Sequence, residues 1–375
     1  MDKIYTALGL MSGTSMDGVD TSIIQTDGKH EYKAILDKYF EYPKNIYKNL
    51  TTLRDKIKSS KDLKKYQKQI KSVEKEVTIF HAKVVNEILK KIKINVDFIG
   101  FHGQTIFHNA KEKITKQLGD GKLLSKLTKK KVIYDFRQND LKNGGQGAPL
   151  TPVFHQVLAK KFDLIPAYFL NIGGITNYTL VLGSDSKKYH ISANDIGPGM
   201  CLIDYWVRTN SKKKYDKNGK LAKSGKINTL LIDMESEHKT RLVEKKLTSG
   251  KKRISYDIKD FDASFVKNLS FNDAVATLTE FTVYHLIASL NFIENNGKIN
   301  LILCGGGRKN TFIRNRIKKF VTRCKLIDDY GIDGDYIESQ AFAYLAIRSY
   351  LKLPISFPGT TGVKKPCTGG VIIKN

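Results

Sequence analysis

Two apolar runs near the start of the chain are separated by a turn whose chemistry narrows what the segment can be. The first run holds Ile4, Tyr5, Ala7, Leu8 and Leu10, and the second holds Val19, Ile23 and Ile24. Two strands joined by a tight turn are the natural reading. The turn carries Gly13 and Gly18, the hydroxyls of Ser12, Thr14 and Ser15, and the carboxylates of Asp17 and Asp20. Small residues let backbone N–H groups close around an anion, and hydroxyls add donors without bulk. Carboxylates beside such a loop repel phosphate unless a hard cation sits between them, so the pattern points to a Mg-nucleotide. A plain hairpin turn needs only one Gly and one Asn or Asp.

Three further glycine clusters follow. Asn171-Ile172-Gly173-Gly174 and Gly305-Gly306-Gly307 each end an apolar strand, and Asn194-Asp195-Ile196-Gly197-Pro198-Gly199 precedes a helix. One Gly-rich turn is weak evidence, but four fit an enzyme that wraps backbone around a nucleotide in an interdomain cleft. The chain has neither the Gly-x-x-x-x-Gly-Lys-Ser/Thr loop nor the Gly-x-Gly-x-x-Gly fingerprint.

Between these clusters the pattern alternates strand and helix. Lys33–Tyr39, Val96–Phe101 and Lys131–Asp135 read as strands, and Lys44 to Lys91 reads as helical with an apolar stripe from Ile70 to Leu89. Asn143–Pro149 is a breaker cluster and the expected crossing between lobes. Beyond it, Tyr168–Asn171 and Thr176–Leu182 form a second strand–turn–strand unit resembling the first, which suggests a duplicated domain. Ser211–Gly225 reads as a charged loop, Ala274–Glu294 and Tyr336–Leu351 as helices, and Asn300–Leu303 as a strand. The expected division is a first lobe of 1–140 plus 355–375 and a second of 141–354.

The net charge is +27, yet only ten of the 64 basic residues are Arg, and the lysines spread over solvated stretches. Specific nucleic-acid sites favour Arg forks with interleaved aromatics, so no specific nucleic-acid partner is expected. No apolar run approaches the ~18 residues of a membrane span, and no signal peptide is evident. Cys201, Cys304, Cys324 and Cys367 lack metal-like spacing and read as reduced thiols of a cytoplasmic protein.

Asp195 is the candidate catalytic carboxylate, since a Gly/Pro-rich turn would hold it rigidly. The competing reading is a helix N-cap. His102 and Gln104, in a loop after a strand, are candidate substrate contacts. Asp135 and Arg137 form an ion pair or engage a carboxylate substrate. Glu338 opens the last helix, where it either meets substrate or complements the helix dipole.

These motifs together resemble the anhydro-N-acetylmuramic acid kinase family over nearly the whole chain. They are Ser12–Asp20, His102–Thr105, Asp135–Arg137, Gly144–Leu150, Asn171–Ile175, Cys304–Gly307 and Gly331–Asp335 followed by Glu338 and Ala341–Ala343. The resemblance implies a two-lobed α/β actin-like ATPase built from duplicated ribonuclease-H-like domains, with ATP between the lobes, and a homodimer. It implies that ATP phosphorylates the 6-oxygen of 1,6-anhydro-N-acetylmuramic acid while water opens the ring at C1, a step in recycling cell-wall fragments. Asp195 would then deprotonate that water. Gly13, Thr14, Ser15, Met16, Asp17, Gly18, Val19 and Asp20 would hold phosphates and Mg²⁺, with Asp17 and Asp20 facing the metal. Gly173, Gly174 and Gly197 would join them, Gly305, Gly306 and Gly307 would pack on the adenosine side, and His102, Gln104, Asp135, Arg137 and Glu338 would meet the sugar.

The chain departs from the family pattern at Ile196 and Met200, where Thr and Asn are usual. It departs also at Gln138-Asn139, where an Arg-rich continuation is usual, and over Ser249–Asp257, which lacks the family's Thr-Gly-Arg-Glu. Loss of that hydroxyl and amide beside Asp195 motivates an alternative, a nucleotide-dependent actin-like binding or assembly protein. A kinase for another sugar is a further alternative.

Overall fold

The structure is a computed structural model and describes residues 2–183, 190–237, 256, 258–296 and 299–374. In chain order the strands are β1 (Tyr5–Ser12), β2 (Gly18–Thr26), β3 (Tyr32–Glu41), β4 (Phe98–Asn109), β5 (Ile114–Leu118), β6 (Lys131–Tyr134), β7 (Ala167–Ile172), β8 (Ile175–Leu182), β9 (His190–Pro198), β10 (Asn300–Cys304), β11 (Cys324–Leu326) and β12 (Val371–Ile373). They form two sheets, ordered β12-β6-β4-β1-β2-β3 with β5 paired to β4, and β11-β10-β7-β8-β9.

The two sheets share one wiring. In the first, β1 and β2 pair antiparallel, β3 extends them antiparallel, and β4 then β6 add parallel on the other side of β1. In the second, β7, β8 and β9 repeat the meander, and β10 then β11 add parallel beside β7. This 3-2-1-4-5 order, present twice, is the duplicated ribonuclease-H-like α/β arrangement expected from the two strand–turn–strand units.

The chain divides into one unit of Met1–Asp163 with Tyr336–Asn375 and another of Leu164–Asp335. These boundaries differ from 140/141 and 354/355. The helix Pro152–Lys161 packs against β3, and the helix Ile337–Tyr350 lies on β1, β2 and β4, so both belong to the first sheet. Asn143–Pro149 therefore lies inside the first unit. Its glycines fold around the buried Asp140, which accepts from Gly147 N–H at 2.7 Å and Thr361 Oγ1 at 2.6 Å.

Local chemistry explains the other differences. The helical region after Lys44 is three helices, Lys44–Lys56, Ser60–Lys65 and Gln67–Lys91. The first break falls where Asp62 Oδ2 accepts from the N–H groups of Lys58 and Ser59 at 3.0 and 2.8 Å and from the Ser59 hydroxyl at 2.9 Å, a cap that starts a new helix. The third helix buries Ile70, Val73, Val77, Val84, Val85 and Ile88, as the apolar stripe requires. Ser211–Gly225 is not a plain loop: Asp216, 3% exposed, accepts from Leu221 and Ala222 N–H at 2.8 and 3.1 Å and starts a short helix at Lys220–Ser224. The long helix of the second unit spans Phe271–Asn296. All four cysteines are free thiols. Among the described residues no helix is long and apolar enough to cross a membrane.

Glycine sets how closely the helix Ile337–Tyr350 approaches its sheet. A Cβ on Gly9 would lie 1.9 Å from the Ser339 carbonyl oxygen, and one on Gly100 would lie 2.2 Å from that of Phe342. Both obstacles are backbone, which no rotamer change relieves. Gly100→Ala should therefore lower stability by about 3 kcal/mol, read as a shift in the denaturant midpoint. A loss below about 0.5 kcal/mol would show that the helix can lift at little cost.

Candidate active site

In the first unit the candidate residues gather at the carboxyl ends of the parallel strands β1, β4 and β6, where open α/β sheets bind ligands. The opening turn is built around the buried Met16, which at φ +58° donates its N–H to Gly13 O at 3.2 Å. Thr14, Ser15 and Asp17 are exposed, with the Ser15 hydroxyl donating to Asp17 Oδ1 at 2.5 Å. Val19 is wholly buried, so this residue and Met16 can offer a ligand only backbone. Asp20 is half-buried on β2, opposite Met11 and Tyr39.

Ser12 is the hub beneath this turn. Its hydroxyl contacts the Gly18 carbonyl at 2.9 Å and Gln104 Oε1 at 2.6 Å, and receives the Tyr42 hydroxyl at 3.1 Å. Gln104 Nε2 donates to Gly13 O at 3.0 Å and to Thr105 O at 3.3 Å. Gln104 is 1% exposed, and both amide hydrogens are used. The structure thus makes Gln104 a brace of the turn.

His102 and Gln104 lie within β4, not in a loop after it, because Gly103 at φ +75° lets the strand continue and pair with β5. Sequence reasoning missed β5 altogether. His102 is 5% exposed; Nδ1 lies 2.8 Å from Gly103 O, and Nε2 accepts from Arg137 Nη2 at 2.9 Å and Nε at 3.2 Å. Arg137 can only donate, so Nε2 is the bare nitrogen and the ring is neutral. Burial, then the Arg137 charge, hold His102 well below its ordinary value. Arg137 also donates from Nη1 to Gly147 O at 2.8 Å, which links it to the Gly144–Pro149 run rather than to Asp135. Burial draws the guanidinium down to about 10, opposed by Glu338 and Asp140, so it stays charged at neutral pH. Glu338 stands exposed in the first turn of its helix, within the field of Arg137.

Asp135 is half-buried at φ +56°, and burial raises its carboxyl above the ordinary value against the pull of Lys142 and Lys116. It borders a cavity of about 170 Å³ that His102, Gln117, Tyr134 and Gln138 also line. Gln138 Nε2 donates to Thr115 O at 3.0 Å.

In the second unit the equivalent positions are the ends of β7 and β10. The Gly173-Gly174 turn is fastened to the next helix: Met200 N–H donates to Gly173 O at 2.8 Å and Gly199 N–H to Gly174 O at 2.9 Å. Asp195 is neither in a turn nor a helix cap. It lies in β9 opposite Asn177, beside a bulge at Thr176/Asn177, while Met200 occupies the cap. Its Oδ2 accepts the Tyr256 N–H at 3.0 Å. Gly197 follows on the same strand with His285 packed over it. Ile196 and Met200 join the apolar cluster around Leu170, Ile172 and Leu303. Apart from Tyr256, the segment Ser249–Asp257 lies outside the described residues. Gly305–Gly307 caps β10 against β7, with Gly305 at φ +76°.

No cluster of three His, Cys, Asp or Glu able to hold a metal occurs among the described residues. Mg²⁺ is commonly held by one or two carboxylates plus substrate phosphates. The exposed Asp17 and half-buried Asp20 suit that arrangement, in which the cation arrives with the nucleotide.

A family model described as anhydro-N-acetylmuramic acid kinase matches residues 5–375. The anhydro-N-acetylmuramic acid kinase of Pelagibacter ubique is 53% identical over 382 residues, covering 100% of both chains. That of Agrobacterium fabrum is 37% identical over 388 residues, again covering 100% of both. Among solved structures, component A of the (R)-2-hydroxyglutaryl-CoA dehydratase of Acidaminococcus fermentans is 13% identical. It covers 92% of this chain and 99% of its own, with a TM-score of 0.43.

The hydrogen bonds of Gln104 separate bracing from substrate contact. Gln104→Leu leaves the Ser12 hydroxyl and the Gly13 carbonyl without this partner, at a cost of about 1–3 kcal/mol. Calorimetric titration should show weakened ATP binding and unchanged sugar binding. Loss of sugar affinity alone would make Gln104 a substrate contact instead.

Proposed function

The chain belongs to the anhydro-N-acetylmuramic acid kinase family, and from that premise we propose how its residues divide the reaction. The protein is a sugar kinase of cell-wall recycling that uses ATP. Its substrate is 1,6-anhydro-N-acetylmuramic acid. In our reading Asp195 takes a proton from water as the water oxygen bonds to C1. The bond from C1 to the 6-oxygen breaks, and the freed 6-oxygen takes the γ-phosphoryl group. The products are N-acetylmuramic acid 6-phosphate and ADP, and the proton on Asp195 passes to solvent. The departing 6-oxygen is itself the nucleophile, so the sugar needs no second base.

The observation that carries this assignment is the seat of Asp195. The carboxylate is half-buried on a sheet strand, one oxygen held by the Tyr256 N–H at 3.0 Å. A strand fixes a base more firmly than a loop does. Ile196 and Met200 pack into the apolar cluster below it, which supports the same strand without a polar neighbour's hydrogen bonds.

Phosphoryl transfer depends mainly on positioning and charge stabilisation. We assign the exposed edge of Gly13–Asp20, with Gly173 and Gly174, to the phosphates. Mg²⁺ at Asp17 and Asp20 would neutralise charge on the transferring group. His102 is buried and neutral, so its part is to orient Arg137, whose charge with Glu338 and Asp135 meets the polar groups of the sugar. A homodimer in the cytoplasm belongs to the same proposal. It predicts a solution mass about twice the 42.4 kDa of one chain, read by sedimentation equilibrium.

Reaction in oxygen-18 water should place the label on C1 of the phosphorylated product, whereas phosphorylation with the ring intact would remove the hydrolytic half of the scheme. Asp195→Asn should bind ATP normally and lose about 10²–10⁴-fold in turnover, the span of general base catalysis. Near-normal turnover would take the base role away from Asp195.

A further inference from the structure

Arg308 heads the fully buried side chains of the described residues by volume, at 1% exposure. Its Nε and Nη2 grip Asp328 as a two-pronged pair at 2.6 and 2.8 Å. Nη1 donates to Asp335 at 2.6 Å, and Nη2 reaches Asp333 at 3.2 Å. Lys309 also pairs with Asp335. A Cβ on Gly334 would stand 2.4 Å from Arg308 Nε, so the run Asp328–Asp335 is folded tightly onto the guanidinium. All of these residues lie in the second unit.

One hydrogen bond leaves the cluster. Arg308 Nη1 donates to the Gly305 carbonyl at 3.1 Å. A buried ion cluster adds little net stability over apolar packing of equal volume, but the planar fork fixes what it holds in one geometry. Here it holds a turn already pressed onto β7: a Cβ on Gly305 would lie 2.3 Å from Asn171 Oδ1, and one on Gly307 would lie 2.3 Å from the Ile172 side chain. Gly306, between them, is exposed and meets nothing within 4 Å. The turn therefore has two faces pinned to protein and one open to a ligand.

We propose that Arg308 is a positioning residue for the nucleotide, locking Gly305–Gly307 so that Gly306 presents bare backbone to the adenosine side of ATP. Asp328, Asp333 and Asp335 serve this lock, their charge being spent on Arg308 and Lys309 rather than on a cation or the sugar. The proposal rests on the assignment of Gly305–Gly307 to adenosine.

Arg308→Lys keeps the charge and loses the fork. It should raise the KM for ATP about ten-fold, leave the sugar KM unchanged and lower kcat less than about three-fold, a loss of nucleotide binding shared by the ground and transition states. A fall in kcat with the ATP KM unchanged, or no change in either, would overturn the proposal. Gly306→Val tests the underlying assignment, because its side chain enters open space and obstructs only an incoming ligand. An unaltered ATP KM in Gly306→Val removes the adenosine assignment. A raised ATP KM there with an unaltered one in Arg308→Lys leaves the assignment standing and refutes the positioning role. Should Arg308→Lys not fold, Asp333→Asn weakens the 3.2 Å contact of a half-exposed partner and leaves an amide oxygen to accept the Asp335 N–H at 3.0 Å. It should raise the ATP KM about two- to three-fold, and no rise would count against the proposal.

Discussion

The first unit depends on backbone lying against backbone. Helix Ile337–Tyr350 crosses β1 and β4 at Gly9 and Gly100, where no side chain can intervene. The helix face is correspondingly small, with Ser339, Ala343 and Ala346 at or near these crossings. Its larger residues then fall to the flanks and do work there. Phe342 packs its ring 4.4 Å from that of His102 and 5.3 Å from that of Phe136. The same approach that closes the core thus fixes the imidazole on which Arg137 leans.

The two units hold their glycine turns by different physics. Beneath Gly13–Gly18 the fastening is neutral, a set of hydroxyl and amide hydrogen bonds centred on Ser12. Beneath Gly305–Gly307 it is ionic. Burial opposes ionisation of Asp328 and Asp335, but Arg308 outweighs it and holds both carboxyls below their ordinary value. Groups shifted in that direction contribute stability above the ordinary carboxylate range and lose it as the pH falls through the lowered value. The second turn is accordingly the acid-sensitive one, while the first has no charge to lose within its hub.

Much of this was legible in the chain. The glycine turns announced themselves because a left-handed or sterically crowded position leaves a residue type behind, as at Gly305. The duplicated strand order followed from two strand–turn–strand units, and the apolar stripe of Gln67–Lys91 named its own buried face. What stayed hidden depended on partners distant in sequence. Gln104 reads as a free amide until Ser12, 92 positions away, is placed against it. Asp195 reads as a turn residue because Gly197, Pro198 and Gly199 surround it; only pairing with β8 makes it part of a strand. Arg308 follows a glycine cluster and carries no local pattern that marks it as buried. Its signal was the density of Asp in Asp328–Asp335, three of which meet its guanidinium.

The division of the chain has a consequence for how the protein comes into being. The second unit is continuous from Leu164 to Asp335, whereas the first is written in two instalments, Met1–Asp163 and Tyr336–Asn375. During synthesis the glycine face of β1 and β4 emerges early and waits uncovered while the whole of the second unit is made. Domains fold as units once their residues are available, so the second can finish while the first is still missing its lid of helix and its last strand. The part of the chain that begins first is the part that must be completed last.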